Sequence, residues 1–216
     1  GINAVFPAGQ VSTASKTLMQ ETRDLILLSA ITRSKSMMTH CHTTPTDAHA
    51  AKVETLRRVL QQAIDQYPRL AAFLLTLPGI TPEAVPHFHE VVYQQIRELA
   101  ATRQLSGRPV PPTVLRWIWT SPPGQTGRVL LLLNQDTFCH PRYDRPPDRC
   151  FETMETLLRD AISKINDVRH HQPPEITVFR VDRTIPAQAD AQYSRLRECA
   201  LSLTPAATAR SERISP

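Results

Sequence analysis

The sequence predicts an α+β fold: an antiparallel sheet of ferredoxin-like βαββαβ order with helices packed on it, plus N-terminal helices. Three observations carry this. From Leu70 onward, short apolar runs alternate with segments of 3.6-residue apolar period, in the order strand, helix, strand, strand, helix, strand, with a further helix after them. The 19 prolines of the 216-residue chain fall almost all at the joints between these segments. The 6 glycines form neither GxGxxG nor GxxxxGK[ST]. Phosphate-cradling loops need glycine for close backbone approach, so a Rossmann or P-loop nucleotide enzyme is excluded.

The elements follow in order. Residues 1–13 read as flexible, a helix is expected from about Ser15 to Thr32 with Leu18, Leu25 and Leu28 on its apolar side, and residues 33–43 are polar and broken. Thr44-Pro45-Thr46-Asp47 begins a longer helix: Thr44 caps, proline suits the first helical position, and the Asp47 carboxylate reaches back to free N–H groups. Val53, Leu56, Val59, Leu60, Ala63, Ile64 and Tyr67 form its stripe, and Pro68 stops it. The continuously apolar run Leu70–Leu77, bracketed by Pro68 and Pro78, reads as a central strand covered on at least one face. Thr81-Pro82 opens a helix with an irregular first turn at Pro86; Phe88, Val91, Val92, Ile96 and Leu99 form its buried side. Val114–Thr120 alternates as a strand, and Val129–Leu133, closing on Asn134, is the most hydrophobic strand; the two pair as a hairpin across Ser121–Gly127. A loop over 135–148 follows. Asp148 then caps a helix carrying Phe151, Met154, Leu158, Ala161, Ile162 and Ile165. A strand over Ile176–Val181 and a helix from Pro186 bearing Tyr193, Leu196, Ala200 and Leu203 complete the core, and residues 204–216 read as a disordered tail.

Composition bounds the function. With 25 basic and 20 acidic residues the formal charge is +5, which permits anionic partners, nucleic acid above all, through counterion release. No apolar run approaches the roughly 18 residues that cross a bilayer, and no signal-peptide layout is present, so a cytoplasmic protein without membrane partners is expected. The four cysteines, Cys41, Cys139, Cys150 and Cys199, are widely spaced and lack a CxxC. They read as reduced thiols rather than a disulfide framework.

Three passages carry a family resemblance: Tyr67-Pro68-Arg69 between a helix and a strand, Leu115–Trp119 (LRWIW) in a strand, and Val129–Phe138 (VLLLLNQDTF). In residues and spacing they resemble the YagK/YfjJ family, related to inovirus gene-two-type replication proteins, across roughly residues 55–203. That family is similar to the HUH rolling-circle initiators, which nick single-stranded DNA with a tyrosine beside a metal ion held by a His-x-His strand. Alternate strand residues point the same way, so that spacing presents two imidazoles to one ion. The resemblance makes residues 44–203 an HUH-like domain. It also implies that the chemistry is lost. Thr126, Gly127 and Arg128 stand where the His-x-His would be, and Arg195–Leu201 (RLRECAL) places Glu198 at the tyrosine. No catalytic residue, metal ligand or cofactor is therefore expected.

Other candidates weigh less. His87-Phe88-His89 has the right letters but lies in a helical pattern, where residues two apart point about 200° away from each other. His40-Cys41-His42 and His170-His171 lack further ligands nearby, and Cys139-His140 is adjacent rather than spaced as a catalytic pair. Tyr193 falls on an apolar face, while Tyr143 lies among loop arginines, where a ring can stack on an unpaired base. Arginine grips phosphate without a metal, so Arg128, Arg142, Arg145, Arg195 and Arg197 are the candidate nucleic-acid-binding residues. The expected function is a degenerate initiator relative that binds single-stranded DNA or other nucleic acid. The alternative is a protein-interaction module reusing the scaffold, and a nuclease with relocated metal ligands stands third.

Overall fold

The strand over residues 69–77 is apolar on both of its sides from Leu70 to Leu75, and such a strand needs cover on both faces. The computed structural model describes residues 45–122, 124–165, 172–204 and 207–215, with side chains from residue 53 onward. All of them lie in one unit, Thr44–Pro216. The helix expected over Ser15–Thr32 and the candidates His40-Cys41-His42 and His170-His171 lie outside the described residues.

Five strands form one antiparallel sheet: β1 (Arg69–Leu77), β2 (Thr113–Thr120), β3 (Gly127–Asn134), β4 (Glu175–Asp182) and β5 (Thr208–Ile214), in the order β4-β1-β3-β2-β5. The expected hairpin between β2 and β3 is present, with Trp117 opposite Leu131. In β1, Phe73 lies opposite Leu131 of β3 and Val178 of β4.

Four α-helices surround the sheet among the described residues: α1 (Pro45–Gln66), α2 (Val85–Leu105), α3 (Pro147–Ser163) and α4 (Pro186–Leu201). Helices α2, α3 and α4 each carry proline in the first turn, where its missing N–H costs no hydrogen bond. Phe88, Val92 and Ile96 of α2 and Phe151, Met154 and Leu158 of α3 pack on Ala71, Phe73, Leu75, Leu115, Trp117 and Leu131. On the opposite face, Leu56, Leu60 and Ala63 of α1 and Leu196 and Ala200 of α4 pack on Leu70, Ala72, Ile118, Leu130 and Leu132. Each fully buried side chain of this size contributes roughly 1.5–3 kcal/mol.

Two expectations are corrected. The element order is α-β-α-β-β-α-β-α-β, not a bare βαββαβ. Helices α1 and α4 cover the second sheet face. Of the tail expected to be disordered, Thr208–Ile214 is strand β5, which hydrogen-bonds the outer edge of β2. A polar heptapeptide suffices there because an edge strand is held by main-chain bonds and needs few apolar anchors; here Ile214 is buried and Arg210 pairs with Glu212. Smaller shifts also occur. Helix α2 begins at Val85 rather than at Pro82, and Asp148 lies inside the first turn of α3 instead of capping it.

Gly127 opens β3 because nothing larger fits: a Cβ there would stand 2.2 Å from Cγ2 of Ile80, itself buried. Gly127→Ala is expected to cost about 1–3 kcal/mol through overpacking. A urea titration should show a lower midpoint at unchanged slope. An unchanged midpoint would show that the contact yields freely.

Candidate nucleic-acid interface

Chain passages far apart in sequence meet where β3 ends. Arg69 at the start of β1 grips Asp136 with two bonds, Nε to Oδ1 and Nη2 to Oδ2, each 2.7 Å. Asn134 accepts from the Asp136 N–H at 3.1 Å and so starts a 3-10 turn, Gln135–Thr137. Tyr67 accepts from the Val114 N–H at 2.7 Å. The Tyr67-Pro68-Arg69 and Asn134–Phe138 passages thus build a structural corner that fixes how the chain leaves the sheet.

Beyond that corner, residues 139–146 form a rim loop before α3. Its anchor is Asp144, whose carboxylate is fully buried. Arg103, near the end of α2, donates Nη1 to Oδ1 at 3.1 Å and Nη2 to Oδ2 at 2.6 Å. Arg108 donates to Oδ1 as well, and the His140 N–H donates to Oδ2 at 2.7 Å. Burial opposes ionisation of Asp144. The Arg103 bonds, the His140 N–H and the charges of Arg103 and Arg108 outweigh it, and they hold the carboxyl below its ordinary value. The loop folds back on itself: the Tyr143 and Asp144 N–H groups donate to the His140 carbonyl at 3.1 and 2.9 Å, and Arg145 Nε donates to the Pro141 carbonyl at 2.9 Å. His140 Nδ1 accepts from the Arg142 N–H, and its ring meets the edge of Tyr143 at 5.2 Å.

The result is an exposed aromatic on a fixed basic turn. Tyr143 is 54% exposed, Arg142 and Arg145 flank it in the open, and Arg108 is half-exposed beside the same carboxylate. Leu105 stands 90% exposed at the end of α2, a short way before Arg108.

The five candidate arginines do not form one patch. Arg128 begins β3, whereas Arg142 and Arg145 follow its far end, about 20 Å away at 3.3 Å per residue. Arg128 is half-buried and donates Nη2 to Ser202 Oγ at 2.9 Å and Nη1 to the Ser202 carbonyl at 3.4 Å, at the C-terminus of α4. Arg195 and Arg197 are exposed on α4, and at 100° per residue they flank the buried Leu196 on opposite sides. Glu198 faces solvent, and Tyr193 packs toward α1, its hydroxyl 3.4 Å from Gln61 Oε1. Arg128, Glu198 and Tyr193 therefore have separate surroundings: Ser202, solvent and Gln61. His89 is buried and stacked on Trp117 at 4.3 Å. Burial, with the charge of Arg210, pushes its imidazole down to about 4, while His87 is exposed. Among the described residues no group of three or more His, Cys, Asp or Glu side chains is arranged to hold a metal ion. No helix among them is long and apolar enough to cross a membrane. Sequence reasoning named Tyr143, Arg142 and Arg145 as candidates but not Asp144, whose only signal is an acidic residue set among arginines.

A family model described as uncharacterised conserved protein UCP030791 matches residues 44–171, more than half of the chain. The chain belongs to that family. No curated protein and no solved structure matches it. The UCP030791 match spans α1 through α3 and includes Asp144, Arg103, Arg108 and the whole rim loop, whereas Arg195, Arg197 and β5 lie beyond it.

Asp144→Asn removes the charge that two arginines share and is expected to cost about 3 kcal/mol, as the loss of one partner of a buried ion pair does. The folded carboxyl is the more acidic one, so this contribution is complete above the unfolded value near pH 4 and fades as pH falls through the folded value. Urea titrations of both proteins between pH 7 and pH 2 should show their stabilities converging only at the acid end. A gap constant across that range would contradict the role of the charge.

Proposed function

We propose that this protein binds single-stranded nucleic acid at its rim loop and does not cut it. On this reading it is a catalytically degenerate relative of the phage and mobile-element replication initiators of YagK/YfjJ type, acting in the cytoplasm. One observation carries the binding: an exposed Tyr143 between Arg142 and Arg145 on a turn that Asp144 holds from below. An unpaired base stacks on such a ring, and the neighbouring guanidiniums meet the flanking phosphates. The fixed turn reduces the entropy lost on binding. The loss of nicking is supported by Arg128, which stands at the second metal-ligand position of the resembled family and is engaged with Ser202. It is supported also by Glu198, which faces solvent where the tyrosine would be. The ferredoxin-like reading is confined to β1–β4 with α2 and α3, whose sheet order β4-β1-β3-β2 supports it; α1, α4 and β5 are additions around that core.

The alternative, a protein partner docking at the same rim, draws on exposed Leu105. Fluorescence anisotropy with a labelled oligonucleotide separates the two. Binding should weaken with salt, Tyr143→Ala should weaken it about tenfold, and Arg142→Ala and Arg145→Ala should each lower the salt slope by about 0.7. Arg195→Ala and Arg197→Ala should leave affinity almost unchanged. Absence of binding at low salt would overturn the reading and favour the protein partner. Cleavage of the oligonucleotide with magnesium or manganese would overturn the loss of chemistry.

A further inference from the structure

Two cysteines bracket the rim loop. Cys139 ends the 3-10 corner, and Cys150 lies in the first turns of α3. Cys139 is fully buried in the core under α2 and α3, and Cys150 packs half-buried against the same cluster. Cys139 Sγ points at the Pro147 carbonyl, 3.8 Å away. In an α-helix the carbonyl of one residue lies beside the side chains three and four positions on, which here are Cys150 and Phe151. The Cys150 thiol is accordingly a direct neighbour of the Cys139 thiol.

We propose that Cys150 and Cys139 form an oxidisable dithiol, in which a peroxide reacts first at Cys150 and Cys139 then closes a disulfide across the rim loop. The order follows from position. Cys150 is the accessible one; it sits near a helix N-terminus, follows Arg149, and lies one residue before the Phe151 ring that Arg180 covers at 3.6 Å. Access therefore decides which sulfur meets the peroxide first. Cys139 is sheltered, and burial together with its thiol neighbour pushes its pKa up to about 12. It therefore waits as a thiol. The chemistry balances in two steps. The Cys150 sulfur attacks the peroxide, the O–O bond breaks, and sulfenic acid and water form. Cys139 then attacks the sulfenic sulfur, the S–O bond breaks, and the departing hydroxide leaves as water with the thiol proton. Two thiols are oxidised and one peroxide is reduced to two waters. The bond would staple residues 139–150 into a closed loop with Tyr143 at its outer side. This chemistry does not depend on the nucleic-acid reading.

The test is mass spectrometry of the full chain exposed to hydrogen peroxide, alkylated, and digested with trypsin without reduction. The expected product joins the peptides Val129–Arg142 and Cys150–Arg159, and reduction should separate them. In Cys150→Ser, Cys139 should remain an alkylatable thiol at the same peroxide dose. The proposal is overturned if Cys150 runs on to sulfinic or sulfonic acid while Cys139 stays reduced, if Cys139 pairs with a different cysteine, if neither is oxidised, or if Cys139 oxidises in Cys150→Ser.

Discussion

The constraint on which the structure depends is the double-sided apolarity of β1 and β3. Both strands bury successive residues, Leu70 through Phe73 in one and Val129 through Leu133 in the other, so neither face of the sheet centre can meet water. Helices α2 and α3 satisfy one face, and α1 and α4 the other. This disposes of the sheet surface as a ligand platform. A scaffold of this kind has only its edges and loop ends to present. The edges are blunted in the usual manner: β5 is polar and carries Arg210, Glu212 and Arg213, and β4 carries Glu175, Arg180 and Asp182. The proposed interface lies at the end of the sheet where the chain leaves β3.

That end is organised by two aspartates, each paired with an arginine from far away in sequence. Asp136 holds Arg69 across 67 residues, and Asp144 holds Arg103 across 41. Burying such charges is expensive, and the second pair is repaid by a second arginine and a backbone N–H. The geometry gained is specific. It points Arg142, Tyr143 and Arg145 outward from a turn held by bonds to the His140 and Pro141 carbonyls. The same constraint places Cys139 under the turn and Cys150 at its far end, so the segment is fixed by charge on one side and flanked by thiols on the other.

Much of the core was legible because its signals are periodic. The helical stripe from Val53 to Tyr67, the apolar run of β1 and the alternation in β2 each fix an element and the face it buries, and proline marks the joints. Three features were not legible, for different reasons. Strand β5 has little apolar content; main-chain bonds to β2 and the buried Ile214 hold it, and composition registers neither. The closed second face could not be read either. The stripes of α1 and α4 say that each helix packs on something, but not that both pack on the same side of one sheet. Asp144 was hidden for a third reason: its role is to be surrounded by Arg103, Arg108 and His140, and that meeting exists only in three dimensions.

The candidate arginines differ in what surrounds each of them. Arg128 is basic and sits where the resemblance places a phosphate, yet its guanidinium faces the carbonyl end of α4, where a positive charge offsets the helix dipole by about 0.3–1 kcal/mol. Arg103 is likewise taken by Asp144. Arg195 and Arg197 are open to solvent, but Leu196 between them faces the core, and they diverge by 200° on the helix. Only Arg142 and Arg145 combine exposure, a common rigid turn and an aromatic surface between them. Position in sequence nominated five residues on equal terms. Exposure beside an aromatic on one turn is what selects Arg142 and Arg145 for the proposed interface, and both lie inside the segment that the UCP030791 family shares.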